Sequence, residues 1–195
     1  PTMNPPVLRR HSLMRPWPIL LRNPRRVIYR WMRKLIPESS SMIPSKRLAE
    51  LGLKLPNVAA PVGSYVPAVR SGSYAFTSGQ IPFRDGKLVW AGKVPADVSL
   101  ANAADGAAIA ALNGLAAIAQ LVGGLDSIIR VVRVCVYVAS SPGFTEQPKV
   151  ANGASDLLVK IFGDAGRHAR SAVGAAELPL NAAVEVELMV EVAES

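Results

Sequence analysis

Between Ser99 and Val122, apolar residues recur at steps of three and four: Ala104, Ala107, Ala108, Ala111, Leu115, Ile118, Ala119 and Val122 share one face. That spacing predicts a helix over Ser99–Val122, with Ser99 as N-cap and Gly123-Gly124 as the stop. A face built from so much alanine implies close approach to a sheet. The period then switches to two. Over Ile129–Val138, Val132, Val134, Val136 and Val138 alternate with Arg133, Cys135 and Tyr137, which predicts a β-branched strand with one buried face. Lys149–Phe162 returns to a helical pattern and ends at Gly163. Two more strands follow at Ala169–Gly174 and Ala183–Val192. In the last, Val184, Val186, Leu188, Val190 and Val192 take one side, with Glu185, Glu187, Met189 and Glu191 on the other.

Upstream, Ser45–Gly52 reads as a short helix with a glycine stop. Tyr65–Arg70 and Ser73–Ser78 read as strands around a Ser71-Gly72 turn. Asp85-Gly86 marks a second hairpin tip before Lys87–Trp90. Two helices among hairpin-linked strands define an α+β domain: one mixed sheet with both helices on one face. The opposite face, carrying Cys135, Tyr137, Met189 and the glutamates, is neither polar nor apolar throughout. Such a face suits a partner subunit.

Composition refines this picture at the N-terminus. The 195 residues are 50% apolar and 18% charged, enough for a core, and no apolar run approaches the 18 residues of a membrane span. The net charge of +8 suggests nucleic acid until it is located. Residues 1–41 hold nine of the 22 Lys/Arg and one of the 14 Asp/Glu, so the rest of the chain is neutral. Pro1, Pro5, Pro6, Pro16, Pro18 and Pro24 interrupt any helix there. Only Arg25–Ile36 can coil, as a basic amphipathic segment of the kind that rests on membranes or serves in targeting. The chain is therefore divided into a basic, poorly ordered extension, 1–41, and a domain, 42–195. Membrane contact is expected only through the extension.

The chemistry narrows by exclusion. Cys135 cannot form an internal disulfide, and His11 and His168 lie far apart, so no Cys/His zinc site is expected and a reducing, cytoplasmic compartment is. Gly86–Val94 has five residues between its glycines and Val94 where a P-loop needs Ser/Thr. Cys135 sits among valines and reads as an inert buried thiol. What remains is Arg170, opening one strand, and Glu185, early in the next. A hairpin around Leu178-Pro179-Leu180-Asn181 would make them neighbours. Spacing alone leaves them open to either an ordinary cross-strand pair, worth under ~1 kcal/mol at a surface, or a site.

At these residues the chain resembles a known family. Ala169-Arg170-Ser171-Ala172-Val173-Gly174, Leu178-Pro179 and Val184-Glu185-Val186-Glu187 are similar to the C-terminal signature of the RidA (YjgF) reactive-intermediate deaminases. Pro61-Val62-Gly63-Ser64-Tyr65, Thr77-Ser78-Gly79-Gln80-Ile81-Pro82, and Leu112-Asn113-Gly114-Leu115 with Gly124-Leu125-Asp126 resemble its other segments in order, covering about residues 45–193. The resemblance implies a chorismate-mutase-like subunit and a homotrimer with sites in the clefts between subunits. It also implies hydrolysis of enamines and imines such as 2-aminoacrylate to 2-keto acids and ammonia, without metal or cofactor. By motif, Arg170 would hold the substrate carboxylate and Glu185 would position or activate water, with Tyr65, Ser78, Gly79 and Tyr137 lining the cleft.

The chain departs from the family pattern in places. His168 stands where the deaminases usually have proline, and Ala172 where many have cysteine. The Ser140–Phe144 loop lacks the usual acidic and Asn residues. With the extra stretch through Leu55 and a long Trp90–Val98 segment, these mark a divergent, longer branch. The alternative is a trimeric small-molecule-binding or interaction module with little catalysis. RNA cleavage is not expected of a neutral domain without a histidine pair.

Overall fold

The computed structural model describes residues 43–58 and 63–194. The candidate basic helix at 25–36 and the Pro61-Val62 pair lie outside them. Met42–Ser195 forms one compact unit. In chain order its elements are α1 (Pro44–Glu50), β1 (Ala68–Ser71), β2 (Tyr74–Thr77), β3 (Phe83–Arg84), β4 (Lys87–Leu88), α2 (Leu100–Val122), β5 (Ile128–Ala139), α3 (Gln147–Phe162), β6 (Ala169–Ala175) and β7 (Val184–Val192). Five strands make one sheet in the order β1-β2-β7-β5-β6, and β3-β4 form a separate hairpin. Only β5 and β6 run parallel. The fold is the mixed α+β sheet that the periodicities predict.

Local chemistry explains the boundaries. The Ser99 hydroxyl accepts from the Asn102 amide at 3.2 Å, and Gly123 turns left-handed at φ 83° to end α2. Asp85 (φ 53°) and Gly86 (φ 75°) both take positive φ at the β3-β4 tip, as a tight two-residue hairpin turn requires. The β4 strand stops at Leu88, short of Trp90. The N-terminus of α1 is capped from elsewhere in the chain: the Ser45 amide and hydroxyl donate to the Asp126 carboxylate at 2.8 and 2.7 Å.

The core lies between α2, α3 and one face of the sheet. Val134, Val136 and Val138 of β5 and Val184, Val186 and Val190 of β7 are fully buried there. One expectation fails. Register shifts at Ile128/Arg130 and Val131/Arg133 change the phase of β5, so Val131 is buried and Val132 is only half-buried. A bulge adds one residue to one strand and reverses the alternation around it.

The small residues of α2 set the depth of packing. A Cβ on Gly114 would lie 2.9 Å from Leu188 Cδ1 of β7, and one on Gly106 3.1 Å from Val184 Cγ2, so the helix backbone rests on the sheet. By length and mean hydropathy of 1.4, α2 matches a membrane span although it holds no uninterrupted apolar run of that length; here 61% of that stretch is buried inside the domain. Helix α3 then seats against α2 at Gly153, where a methyl group would overlap the Ala104 carbonyl.

The expected hairpin between the last two strands does not form. Strand β5 lies between β6 and β7. The physical reason is burial: β7 alternates strictly between buried and half-buried positions and takes a central place, whereas Ala169–Ala175 is built mostly of small residues and has no fully buried position, which suits an edge. The connection through Pro179–Asn181 holds Leu180 and Asn181 at positive φ, carrying the chain around rather than straight back.

Gly153→Ala should therefore push the two helices apart. The expected cost is about 2 kcal/mol, the range of overpacked cores, read as a lower urea midpoint with an unchanged slope.

Candidate functional site

Among the residues singled out by sequence, Arg170 lies on one face of the sheet, and Glu185 and Tyr137 lie on the other. Across β5, Glu185 is the register partner of Tyr137, and Arg170 is the partner of Val134. Those partners are three residues apart, or about 10 Å along the strand. Val134 faces the helices and Tyr137 the open side, so Arg170 and Glu185 are not a cross-strand pair.

The Glu185 group lies on the open face at one end of β7. Gln80 and Val186 exchange backbone hydrogen bonds at 2.9 and 2.8 Å, which ties the Ser78–Pro82 segment to the start of β7. Gly79 consequently faces Glu185 directly: a methyl group there would coincide with the carboxylate. Its missing side chain makes room for Glu185. The Ser78 hydroxyl donates to the Val66 carbonyl at 2.6 Å, and Tyr65, next in the chain, is half exposed. Tyr137 donates its hydroxyl to Glu187 at 3.1 Å.

Electrostatics in this group oppose ionisation. Burial, with the Glu187 carboxylate next, raises the pKa of Glu185 above the ordinary carboxylate range. Burial also raises Tyr137, assisted by Glu187. A carboxylate held reluctant to ionise is a better proton acceptor once ionised.

The Arg170 group sits on the helix side of edge strand β6. Arg170 Nη1 donates to Asn152 Oδ1 at 2.9 Å and to Ser155 Oγ at 3.1 Å, both on α3. These two bonds use both Nη1 hydrogens. The Nε–Nη2 edge, a planar two-point fork suited to a carboxylate, has no acceptor among the described residues. His168 lies behind: Nδ1 is 2.6 Å from the Gly166 carbonyl and Nε2 is 3.0 Å from Ser155 Oγ. Its pKa is lowered, first by burial and then by Arg170, against the opposing bond to Gly166. Sequence reading missed Asn152 and Ser155, although two polar residues three apart on an amphipathic helix were a usable signal.

Cys135 is half-buried rather than buried. It lines a shallow open-face cavity of about 290 Å³ with Phe76, Thr77, Arg133, Tyr137, Glu187, Leu188 and Met189. Both His168 ring nitrogens are engaged elsewhere, so the two do not form a nucleophilic pair. Among the described residues, no group of three or more His, Cys, Asp or Glu is placed to hold a metal ion.

A mixed five-stranded sheet, with two helices on one face and this signature on its last strands, defines a chorismate-mutase-like α+β subunit. Residues 45–192 match the family described as "YjgF/chorismate mutase-like, putative endoribonuclease", and the chain belongs to that family. It is 45% identical over 156 residues to Protein TCP17 of Trypanosoma cruzi, covering 77% of this chain and 98% of that one. Among solved structures it resembles Atu1372 of Agrobacterium tumefaciens at 41% identity and a TM-score of 0.70, covering 86% and 98% of the two chains. A Shewanella oneidensis protein described as "a putative endoribonuclease" is 39% identical with a TM-score of 0.74, covering 76% and 99%.

Replacing Glu187 by Gln removes one charge that opposes Glu185 while keeping an acceptor for Tyr137. The Glu185 carboxyl, followed by carbon-13 NMR, should then titrate at lower pH than in the parent. Because its folded pKa is raised, Glu185 favours the folded state at low pH, and that contribution is lost as pH rises through the folded value. Glu187→Gln should flatten this loss; an unmoved titration would show that Glu187 does not act on it.

Proposed function

We propose that this chain is a homotrimeric hydrolase that deaminates reactive enamine and imine intermediates of the 2-aminoacrylate class to 2-keto acids and ammonia. The observation that carries the reading is Arg170. Its guanidinium is fixed by two α3 acceptors at Nη1 and leaves its Nε–Nη2 fork open at the sheet edge. A fixed planar fork is what a small carboxylate needs, and a point charge would not supply it.

The chemistry asks little more of the protein. Once the carboxylate is held and the enamine has tautomerised to the imine, water adds to the imine carbon while Glu185 accepts its proton and passes it to the nitrogen. The C–N bond of the resulting carbinolamine then breaks as its hydroxyl proton moves to nitrogen, so ammonia leaves, the carboxylate of Glu185 is restored and the 2-keto acid remains. Imines are reactive enough that orientation provides much of the rate. Tyr65, Ser78, Gly79 and Tyr137 line the Glu185 side. Since Arg170 and Glu185 occupy opposite faces of one subunit, the reading requires Arg170 of one copy beside Glu185 of the next. The open face, half-exposed and mixed in character, supports such packing. Serine, a small carboxylate-bearing amino acid, is bound in Escherichia coli TdcF, a structure of this fold at 26% identity and a TM-score of 0.50.

RNA cleavage, which the family description names, has less support. Residues 42–195 carry no net charge, and His168 has both ring nitrogens engaged.

Sedimentation should give a trimer at micromolar concentration. Arg170→Ala should keep that trimer and lose on the order of a hundredfold or more in release of ammonia from 2-aminoacrylate, with Arg170→Lys recovering little. Mixed trimers refolded from Arg170→Ala and Glu185→Gln chains should regain part of the activity that each lacks alone. A wild-type trimer that binds pyruvate without turning over 2-aminoacrylate would favour a binding module instead.

A further inference from the structure

Three groups behind Arg170 form a directed chain of hydrogen bonds. The Gly166 carbonyl can only accept, so His168 Nδ1 carries the ring hydrogen at that 2.6 Å contact. Burial and the nearby Arg170 lower the His168 pKa, so the ring is neutral at neutral pH, and its Nε2 is then an acceptor. Ser155 must therefore give its hydroxyl hydrogen to Nε2 across 3.0 Å. This turns a lone pair of Ser155 Oγ toward Arg170 Nη1, 3.1 Å away. Without the imidazole, the same hydroxyl could rotate and present its hydrogen toward the cation, where it repels rather than binds.

We propose that His168 is a positioning residue that acts through Ser155 to fix the plane of the Arg170 guanidinium, and so sets how tightly the site holds a substrate carboxylate. This rests on the reading of Arg170 as the carboxylate grip. Asn152 holds the other Nη1 hydrogen at 2.9 Å, so one acceptor survives when Ser155 is lost, and the guanidinium is then free to turn about a single bond. The fork keeps its charge and loses its aim. Because a loosened fork holds the carboxylate less tightly before and during the reaction alike, the loss shows chiefly in KM and in the affinity for a carboxylate product.

The test compares His168→Leu, His168→Gln, Ser155→Ala, the His168→Leu/Ser155→Ala double variant and Arg170→Ala in the full chain. It measures kcat and KM for 2-aminoacrylate generated in the assay, and pyruvate affinity by calorimetry. His168→Leu and Ser155→Ala should each raise KM and the pyruvate Kd by about tenfold, the effect of losing one hydrogen bond to a charged group. The double variant should be no worse than either single one, because both break the same path. His168→Gln, whose side-chain oxygen can accept from Ser155, should recover most of the affinity. Wild-type KM and Kd in His168→Leu, alongside an inactive Arg170→Ala, would overturn the positioning role and leave the carboxylate grip standing. So would a Gln variant no better than Leu. Unchanged binding and turnover in Arg170→Ala would instead overturn the grip itself, and the relay with it.

Discussion

The domain depends on how closely α2 lies on the sheet. Gly106 and Gly114 let its backbone rest on Val184 and Leu188, and Ala103, Ala107, Ala110 and Ala111 are fully buried beside them. Dense packing of this kind transmits position, because neither surface can yield without opening a void or forcing a rotamer. Helix α3 is referred to the same origin through Gly153 on Ala104. Asn152 is the residue before that contact and Ser155 comes two after it. The acceptors that hold Arg170 are thus placed by a helix crossing rather than by a loop, which suits a site that must be aimed.

The two sides of the sheet carry different chemistry for a related reason. Strand β7 is central and its inward valines are fully buried, so Glu185, Glu187 and Met189 have only the open face available. There Glu187 lies close enough to oppose the ionisation of Glu185. Strand β6 is an edge with small residues, and its long Arg170 side chain reaches back over the edge to α3. On the proposed reading, one subunit holds the electrophile's anchor and the next supplies the proton acceptor. Assembly then becomes part of the chemistry, and the mixed character of the open face is the cost of serving both as interface and as site wall.

His168 shows how a departure from a family pattern gains meaning from geometry. In the sequence it is only a substitution at a position where proline is usual. In the fold it closes a line of bonds from the Gly166 carbonyl to the guanidinium, with both ring nitrogens used. A proline there could offer no such acceptor. Divergence at that point bears on how Arg170 is held, and Arg170 itself is kept.

Much of this was readable from the chain because it depends on local periods. The alanine stripe of α2, the valine alternation of β5 and β7, the Asp85-Gly86 turn and the neutral charge after residue 41 each follow from neighbours in sequence. The motifs also pointed to Arg170, Glu185, Ser78 and Gly79. Three things needed the tertiary structure. The bulges in β5 put Val131 rather than Val132 in the core, because an extra residue in one strand is invisible to alternation. The placement of β5 between β6 and β7 separated Arg170 from Glu185, because strand order is decided by which strand has two faces to cover, not by proximity along the chain. The hold of Asn152, Ser155 and His168 on Arg170 appeared only when α3 was seated over the sheet edge, since those contacts join residues 15 and 18 positions apart that no local period relates.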